Sequence, residues 1–196
     1  FCFDLTDTGL KELLTVNGSL VRVLDLSFAY NITGIGLKHV QLPQLESLNL
    51  QECGNLTNKG LMEFLDKSSD KLRELNLEDT SISGVGLTRF HAPQLELLRL
   101  PHCDKLKDSG LQKILTNCTA NLKHLDLSQN PNLYKLWCPR NLLTQIDLSF
   151  TRDLFVLGCE ENQIANLDFS VTPRLQYLLC NVRVLYEIYD LQTINL

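Results

Sequence analysis

The residues of this chain most able to do chemistry are four histidines and seven cysteines. The histidines are His39, His91, His102 and His124. The cysteines are Cys2, Cys53, Cys103, Cys118, Cys138, Cys159 and Cys180. Their spacing gives neither the paired histidines of a helical zinc site nor a CxxC pair. His102 and Cys103 are adjacent, but neighbours in an extended segment point to opposite faces, so they make a poor base and nucleophile. Cys138, Cys159 and Cys180 recur every twenty-one residues. Stacked as a column roughly 5 Å apart, they read as an apolar ladder, since a free thiol behaves as a small hydrophobe. Gly34-Ile-Gly36 and Gly84-Val-Gly86 are too short for a phosphate loop and read as punctuation between elements. No GxSxG motif and no pair of carboxylates flanking a pocket is found. The expectation is a protein without catalysis, metal, cofactor or small-molecule substrate.

The rest of the chain must build the elements that carry these residues. Its 196 residues are 44% hydrophobic and 21% charged, enough for one domain with a real core. A net charge of −5 argues against a nucleic-acid surface driven by bulk charge. No stretch approaches eighteen uninterrupted apolar residues, so no membrane span is expected. An odd cysteine count inside apolar patterns suggests a reducing, intracellular compartment, cytoplasmic or nuclear. Sequons at Asn17, Asn31, Asn55 and Asn117 point the other way, toward a secreted or surface protein, and are read as chance. The anomaly is leucine: 43 residues of the chain.

Leucine excess signals a repeat. Leu45-x-x-Leu48-x-Leu50-x-x-Cys53-x-x-Leu56-Thr57 recurs as Leu95-x-x-Leu98-x-Leu100-x-x-Cys103-x-x-Leu106. Val21-x-x-Leu24-x-Leu26-x-x-Ala29-x-x-Ile32-Thr33 and Leu72-x-x-Leu75-x-Leu77-x-x-Thr80-x-Ile82 fit the same template, and Leu122-x-x-Leu125-x-Leu127 begins a fifth copy. Starts at 21, 45, 72, 95 and 122 give periods of 24, 27, 23 and 27, so short and long units alternate and a block of about fifty residues is duplicated. Cys2 to Leu10 overlays Cys53 to Leu61, so the chain opens inside a unit and reads as a fragment of a longer one. The Leu-x-Leu alternation predicts a short strand, and Leu61, Phe64, Leu65 after Gly60 have helical spacing. Each unit is therefore expected to run strand, turn, helix and return, stacked in a parallel ladder.

This pattern resembles the cysteine-containing subclass of leucine-rich repeats over residues 1–130. Cys2, Cys53 and Cys103 match its inward Cys, which Ala29 and Thr80 replace with small residues, and Cys118 matches its second Cys. The resemblance implies an α/β solenoid with a curved parallel sheet on its concave side and short helices on its convex side. It also implies a protein-binding role, as in the substrate-recognition half of F-box proteins, the receptors of cullin ubiquitin ligases.

The style changes in residues 131–196. Leu122-x-x-Leu125-Asp126-Leu127-Ser128, Leu143-x-x-Ile146-Asp147-Leu148-Ser149 and Ile164-x-x-Leu167-Asp168-Phe169-Ser170 are twenty-one apart. Between them lie Leu133-x-x-Leu136-x-Cys138-x-x-Asn141, Leu154-x-x-Leu157-x-Cys159-x-x-Asn162 and Leu175-x-x-Leu178-x-Cys180. These resemble compact bacterial 21-residue leucine-rich repeats, with flatter coils extended on both faces. The whole of 1–196 reads as one repeat domain. Asn141 and Asn162 favour the Cys motifs as the continuation of the concave sheet. Continuity of period favours the Leu-Asp-Leu-Ser motifs, ending at Leu191-x-x-Ile194-x-Leu196, and this phase is adopted.

In that phase the outward positions of the concave strands include Asp25, Asn49, Gln51, Glu74, Asn76, Glu78, Leu97, Arg99, His124, Asp126, Asp147 and Asp168. Six are carboxylates and only Arg99 is firmly basic, so a protein partner with a basic segment is expected. The Asp residues have a second reading, as hydrogen-bonding groups within the ladder. Leu97 and Pro101 are expected to be exposed beside Arg99. Trp137, with Tyr134, falls on the opposite side of the coil. It is the leading single candidate for an interface anchor, and reads equally as a plug at the junction of the two repeat styles. An effector or adhesin from a bacterium or parasite, or a scaffold subunit of a large assembly, are the alternative functions.

Overall fold

The computed structural model describes residues 3–35, 37–87, 89–117 and 121–180. The second cysteine of the family pattern, Cys118, lies outside these residues, as do Cys2 and the motif from Leu191 to Leu196.

Nine three-residue strands form among the described residues. Six build one parallel sheet: β1 (Val23–Asp25), β2 (Ser47–Asn49), β3 (Glu74–Asn76), β4 (Leu97–Arg99), β5 (His124–Asp126) and β7 (Gln145–Asp147), in the order β1-β2-β3-β4-β5-β7. The remaining three, β6 (Lys135–Trp137), β8 (Val156–Gly158) and β9 (Tyr177–Leu179), build a second parallel sheet in the order β6-β8-β9. Each strand advances by one coil, so the described residues form an α/β solenoid of stacked repeats with parallel sheets. The first sheet follows the Leu-Asp-Leu-Ser motifs and the second follows the Cys motifs. Register aligns Leu24, Leu48, Leu75, Leu98, Leu125 and Ile146 in one inward row. Leu48, Leu75, Leu98 and Leu125 in that row are buried, as are Leu26, Leu50, Leu77, Leu100, Leu127 and Leu148 two residues on. Each fully buried leucine contributes about 1.5–3 kcal/mol relative to exposure.

Helices occupy only the long units. They are α1 (Asp7–Asn17), α2 (Asn58–Leu65) and α3 (Asp108–Asn117). The short units carry a single 3-10 turn instead, at Leu37–His39 and Val85–Leu87, which corrects the expectation of a helix in every unit. Thr6 and Thr57 cap the first two helices, their hydroxyls accepting from Gly9 N at 3.4 Å and Gly60 N at 2.9 Å. The first helical residue also ties its coil to the next. Asp7 Oδ1 accepts from Thr33 N and Gly34 N at 3.1 and 2.9 Å, Asn58 Oδ1 from Ser83 N and Gly86 N at 3.0 and 3.2 Å, and Asp108 Oδ1 from Tyr134 N at 3.0 Å. At this junction Gly34 has φ +79 and its backbone packs on Gly60, where a Cβ would stand 2.0 Å from Thr33 O. Only glycine permits that approach.

The inward position after most of the strands holds a short polar or thiol side chain that accommodates a carbonyl, with Ala29 in its place after β1. Cys53 Sγ donates to Leu26 O at 3.1 Å and Cys103 Sγ to Leu77 O at 3.2 Å. Thr80 Oγ1 donates to Leu77 O at 2.7 Å, and Thr151 Oγ1 to Leu148 O at 2.6 Å. Asn130 Nδ2 reaches both Leu100 O and Leu127 O at 2.8 Å. In the second sheet Asn162 Nδ2 bridges Cys138 O and Cys159 O at 2.9 and 3.0 Å. The asparagine position is thus filled in both sheets, by Asn130 in the first and by Asn141 and Asn162 in the second. It does not distinguish the two phases.

Candidate interaction surface

The outward rows of the first sheet follow from its register. One row runs Val23, Ser47, Glu74, Leu97, His124, Gln145, and the next runs Asp25, Asn49, Asn76, Arg99, Asp126, Asp147. Gln51 and Glu78 follow two residues beyond their strands and are half-buried. The sheet therefore gathers eleven of the sequence candidates on or beside one face: Asp25, Asn49, Gln51, Glu74, Asn76, Glu78, Leu97, Arg99, His124, Asp126 and Asp147. Two candidates fall elsewhere. Asp168 is exposed, but no strand forms at 166–168, so it is not part of the sheet. Trp137 belongs to the second sheet. Pro101, expected exposed, is buried, while Leu97 is half-buried and Arg99 and His124 are exposed.

Most of the acidic stripe has a local duty. Asp25 Oδ1 accepts from Ser27 N at 2.9 Å, Asp126 Oδ1 from Ser128 N at 3.0 Å, and Asp147 Oδ1 from Ser149 N at 2.8 Å. Asn49 and Asn76 do the same for Gln51 N and Glu78 N, at 3.1 and 3.0 Å. Asp168 makes this bond to Ser170 N at 2.9 Å even without a strand. These are Asx turns that satisfy a backbone donor at the strand exit. Bonding to Ser27 and Ser170 holds the carboxyls of Asp25 and Asp168 below the usual range, so both stay charged. Arg99 is the exception in its row. The residue two positions on is Pro101, which has no N–H to cap.

Charge is distributed unevenly across this face. Along the entrance to the strands lie Arg22, Glu46, Arg73, Glu96 and Lys123. Arg22 pairs with Glu46 at 3.3 Å, and Glu96 takes both Arg73 at 3.2 Å and Lys123 at 2.7 Å. Lys123 in particular holds the Glu96 carboxyl below its ordinary range. The alternation at one position per coil was not picked out in the sequence, where it is visible as the residue two before each inward leucine. It leaves this rim nearly neutral. By contrast Asp25, Glu74, Glu78, Asp126, Asp147 and Arg99 form no ion pair among the described residues. Glu74 accepts one hydrogen bond, from Ser47 Oγ at 3.0 Å. A shallow depression of about 410 Å³ opens between Leu97, Arg99, His124, Asp126, Gln145 and Asp147.

The second sheet presents aromatic rings on its outer face. Tyr134 stacks on Phe155 with centroids 4.9 Å apart and planes 7° apart, and Phe155 meets Tyr177 at 5.2 Å. Register pairs Trp137 with Gly158. A Cβ on Gly158 would lie 2.6 Å from Trp137 Cε3, so the indole lies over that glycine. Trp137 is 38% exposed.

The buried thiols among the described residues are poor nucleophiles. Burial pushes Cys53 and Cys103 up to about 11 and Cys159 up to about 12, and raises Cys138 as well. His102 is exposed while Cys103 is buried, so the two face apart. Among the described residues no group of three or more His, Cys, Asp or Glu side chains is placed to hold a metal ion. Nor is any helix among them long and apolar enough to cross a membrane.

A family model described as Leucine Rich repeat matches residues 41–65, one unit of the solenoid. No curated protein matches the chain. Among solved structures, a chain of the yeast Rad7 and Elc1 complex aligns with 87% of this chain and 57% of its own length, at 19% identity and a TM-score of 0.47. The functional domain of InlJ from Listeria monocytogenes, whose structure includes a cysteine ladder, aligns with 80% of this chain and 31% of its own length, at 24% identity and a TM-score of 0.31. The chain thus spans less than two thirds of either.

Proposed function

The chain folds as a leucine-rich repeat protein, and from that premise we propose that it binds a protein partner through the outward face of its six-stranded sheet. The observation that carries this reading is the contrast between rows. The rim is charge-paired, whereas Glu74, Glu78, Asp126 and Asp147 form no ion pair among the described residues, and Arg99, beside Asp126, is the one basic residue in their rows. Unpaired carboxylates on a rigid sheet favour a segment rich in Lys or Arg, mainly by speeding encounter and fixing register. The five described thiols, Cys53, Cys103, Cys138, Cys159 and Cys180, are free, which supports a reducing compartment. The narrower role of substrate receptor in an F-box-type ubiquitin ligase rests on the resemblance of the cysteine repeats.

The test is charge reversal on the face. Glu74→Lys with Glu78→Lys should abolish capture of the partner from extracts. The melting temperature should hold, because neither residue is in the core and neither makes an Asx turn. Reversal at Arg152 and Arg174, away from the face, should leave capture intact. Retention of the partner by the Glu74→Lys, Glu78→Lys protein would move the site off this face.

A further inference from the structure

The reading of the first sheet as a binding face leaves one residue unexplained: a lone cation in the middle of an acidic surface. Resting on that reading, we infer that the depression around Arg99 seats a carboxylate of the partner, in a segment that is basic on both sides of it. Every other residue in the row of Arg99 is an Asp or Asn whose side chain is held by the N–H two residues on. Pro101 removes that N–H from one coil only, so the side chain at 99 has no structural task. It is exposed, it makes no ion pair among the described residues, and it lines the depression that Leu97 and His124 open on the face.

The neighbours set the rest of the ligand. Register places Arg99 between Asn76 and Asp126, with Glu74 one strand to one side and Asp147 two strands to the other. Strands in a ladder are about 4.8 Å apart and an extended chain advances about 3.3 Å per residue. A peptide crossing the strands with an Asp or Glu at Arg99 therefore brings residues two or three positions away over these flanking carboxylates. Lys or Arg at those positions completes the match. A guanidinium facing a carboxylate can bond it through two parallel N–H donors, which fixes the register of the segment on the sheet.

Panning a displayed library of random twelve-residue peptides against the wild-type chain, Arg99→Glu and the Glu74→Lys, Glu78→Lys double variant tests this. Wild type should enrich peptides with an acidic residue flanked at two or three positions by Lys or Arg. Synthesised, the strongest of these should lose about tenfold or more in affinity for Arg99→Glu, the loss of one charge-assisted contact. Arg99→Ala, checked by its melting curve, should lose affinity in the same sense and guards against misfolding. If wild type and Arg99→Glu enrich the same purely basic peptides, the carboxylate seat is wrong and the acidic face stands. If peptides enriched by wild type bind the Glu74→Lys, Glu78→Lys protein and Arg99→Glu equally well, or if none is enriched, both the seat and the face are wrong.

Discussion

At the exit of each strand in the first sheet, a backbone N–H turns away from the interstrand ladder and is met by the side chain two residues earlier. Asp25, Asn49, Asn76, Asp126 and Asp147 all serve in this way. Arg99 and Pro101 depart from the pattern together, one losing the acceptor and the other the donor. The pairing predicts a coupling that a mutant cycle can read. Pro101→Ser alone restores a donor with no acceptor, and Arg99→Asp alone restores an acceptor with no donor. The double variant recreates the turn and should be about 1 kcal/mol more stable than the sum of the single effects, measured by urea unfolding. Strict additivity would show that the two departures are unrelated. At this scale the sequence is partly legible. The recurrent Asp-x-Ser announces a hydrogen bond within the ladder. The left-handed residue of each coil does not announce itself. Phe28, Glu52, Asp79, His102, Gln129 and Phe150 all have φ between 49 and 67, yet no single residue type marks the position. Their conformation comes from the ladder, since Phe28 N reaches Gln51 O and Glu52 N reaches Glu78 O, both at 2.9 Å.

Among the elements, strands were the easiest to read, because Leu-x-Leu alternation has one physical solution in a stacked repeat. Helices were harder, and chain length explains the miss. From Leu56 to Leu72 the return segment has sixteen steps, and from Ile32 to Leu45 only thirteen. The missing three residues are close to one helical turn, so the short coils close with a 3-10 turn. The third Leu-Asp-Phe-Ser copy has the right pattern but forms no strand, and Asp168 therefore falls outside the sheet. The second sheet supplies the prediction at this scale. Gly158 lies beneath the indole of Trp137, and Gly158→Ala should lift the ring from the sheet. Trp137 is the only tryptophan in the chain, so its emission reports this directly. A red shift is expected, with a stability loss of about 1–3 kcal/mol from the displaced packing. Unchanged emission would mean that the indole does not rest there.

Across the whole molecule, the thiols run through both halves of the core, from Cys53 to Cys159. Burial favours their neutral form, which has a consequence for alkaline stability. An unfolded thiol ionises near pH 8.5, whereas Cys53 and Cys103 ionise near 11 and Cys159 near 12 in the folded chain. Above about pH 8.5 the unfolded state releases protons that the folded state retains, so stability falls as pH rises toward 11–12. Each such thiol contributes about 1.4 kcal/mol per pH unit across its window. Urea midpoints should therefore fall between pH 8.5 and 10.5, and less steeply for Cys53→Ala with Cys103→Ala. Equal slopes would mean that the two thiols titrate alike in both states. The change of repeat style near residue 130 was readable in the sequence because the period shortened to twenty-one, leaving no length for a helix. Continuity of period also picks the motif that continues the first sheet, although both motifs carry the same leucine spacing and both offer an asparagine. Stacking agrees: β7 pairs with β5, and β6 starts a sheet of its own.

That change of style also makes the molecule mechanically unequal along its length. In the helical coils, backbone hydrogen bonds from strand to strand join neighbours on one side, while the other side is held by packed helices, side-chain bonds such as those of Asp7 and Asn58, and single backbone bonds at the helix entrances such as Thr57 N to Thr33 O. Later coils are laced by backbone hydrogen bonds on both sides. Tension along the axis would open the first half on its helical side, like a hinge, while the second half would resist along both sheets.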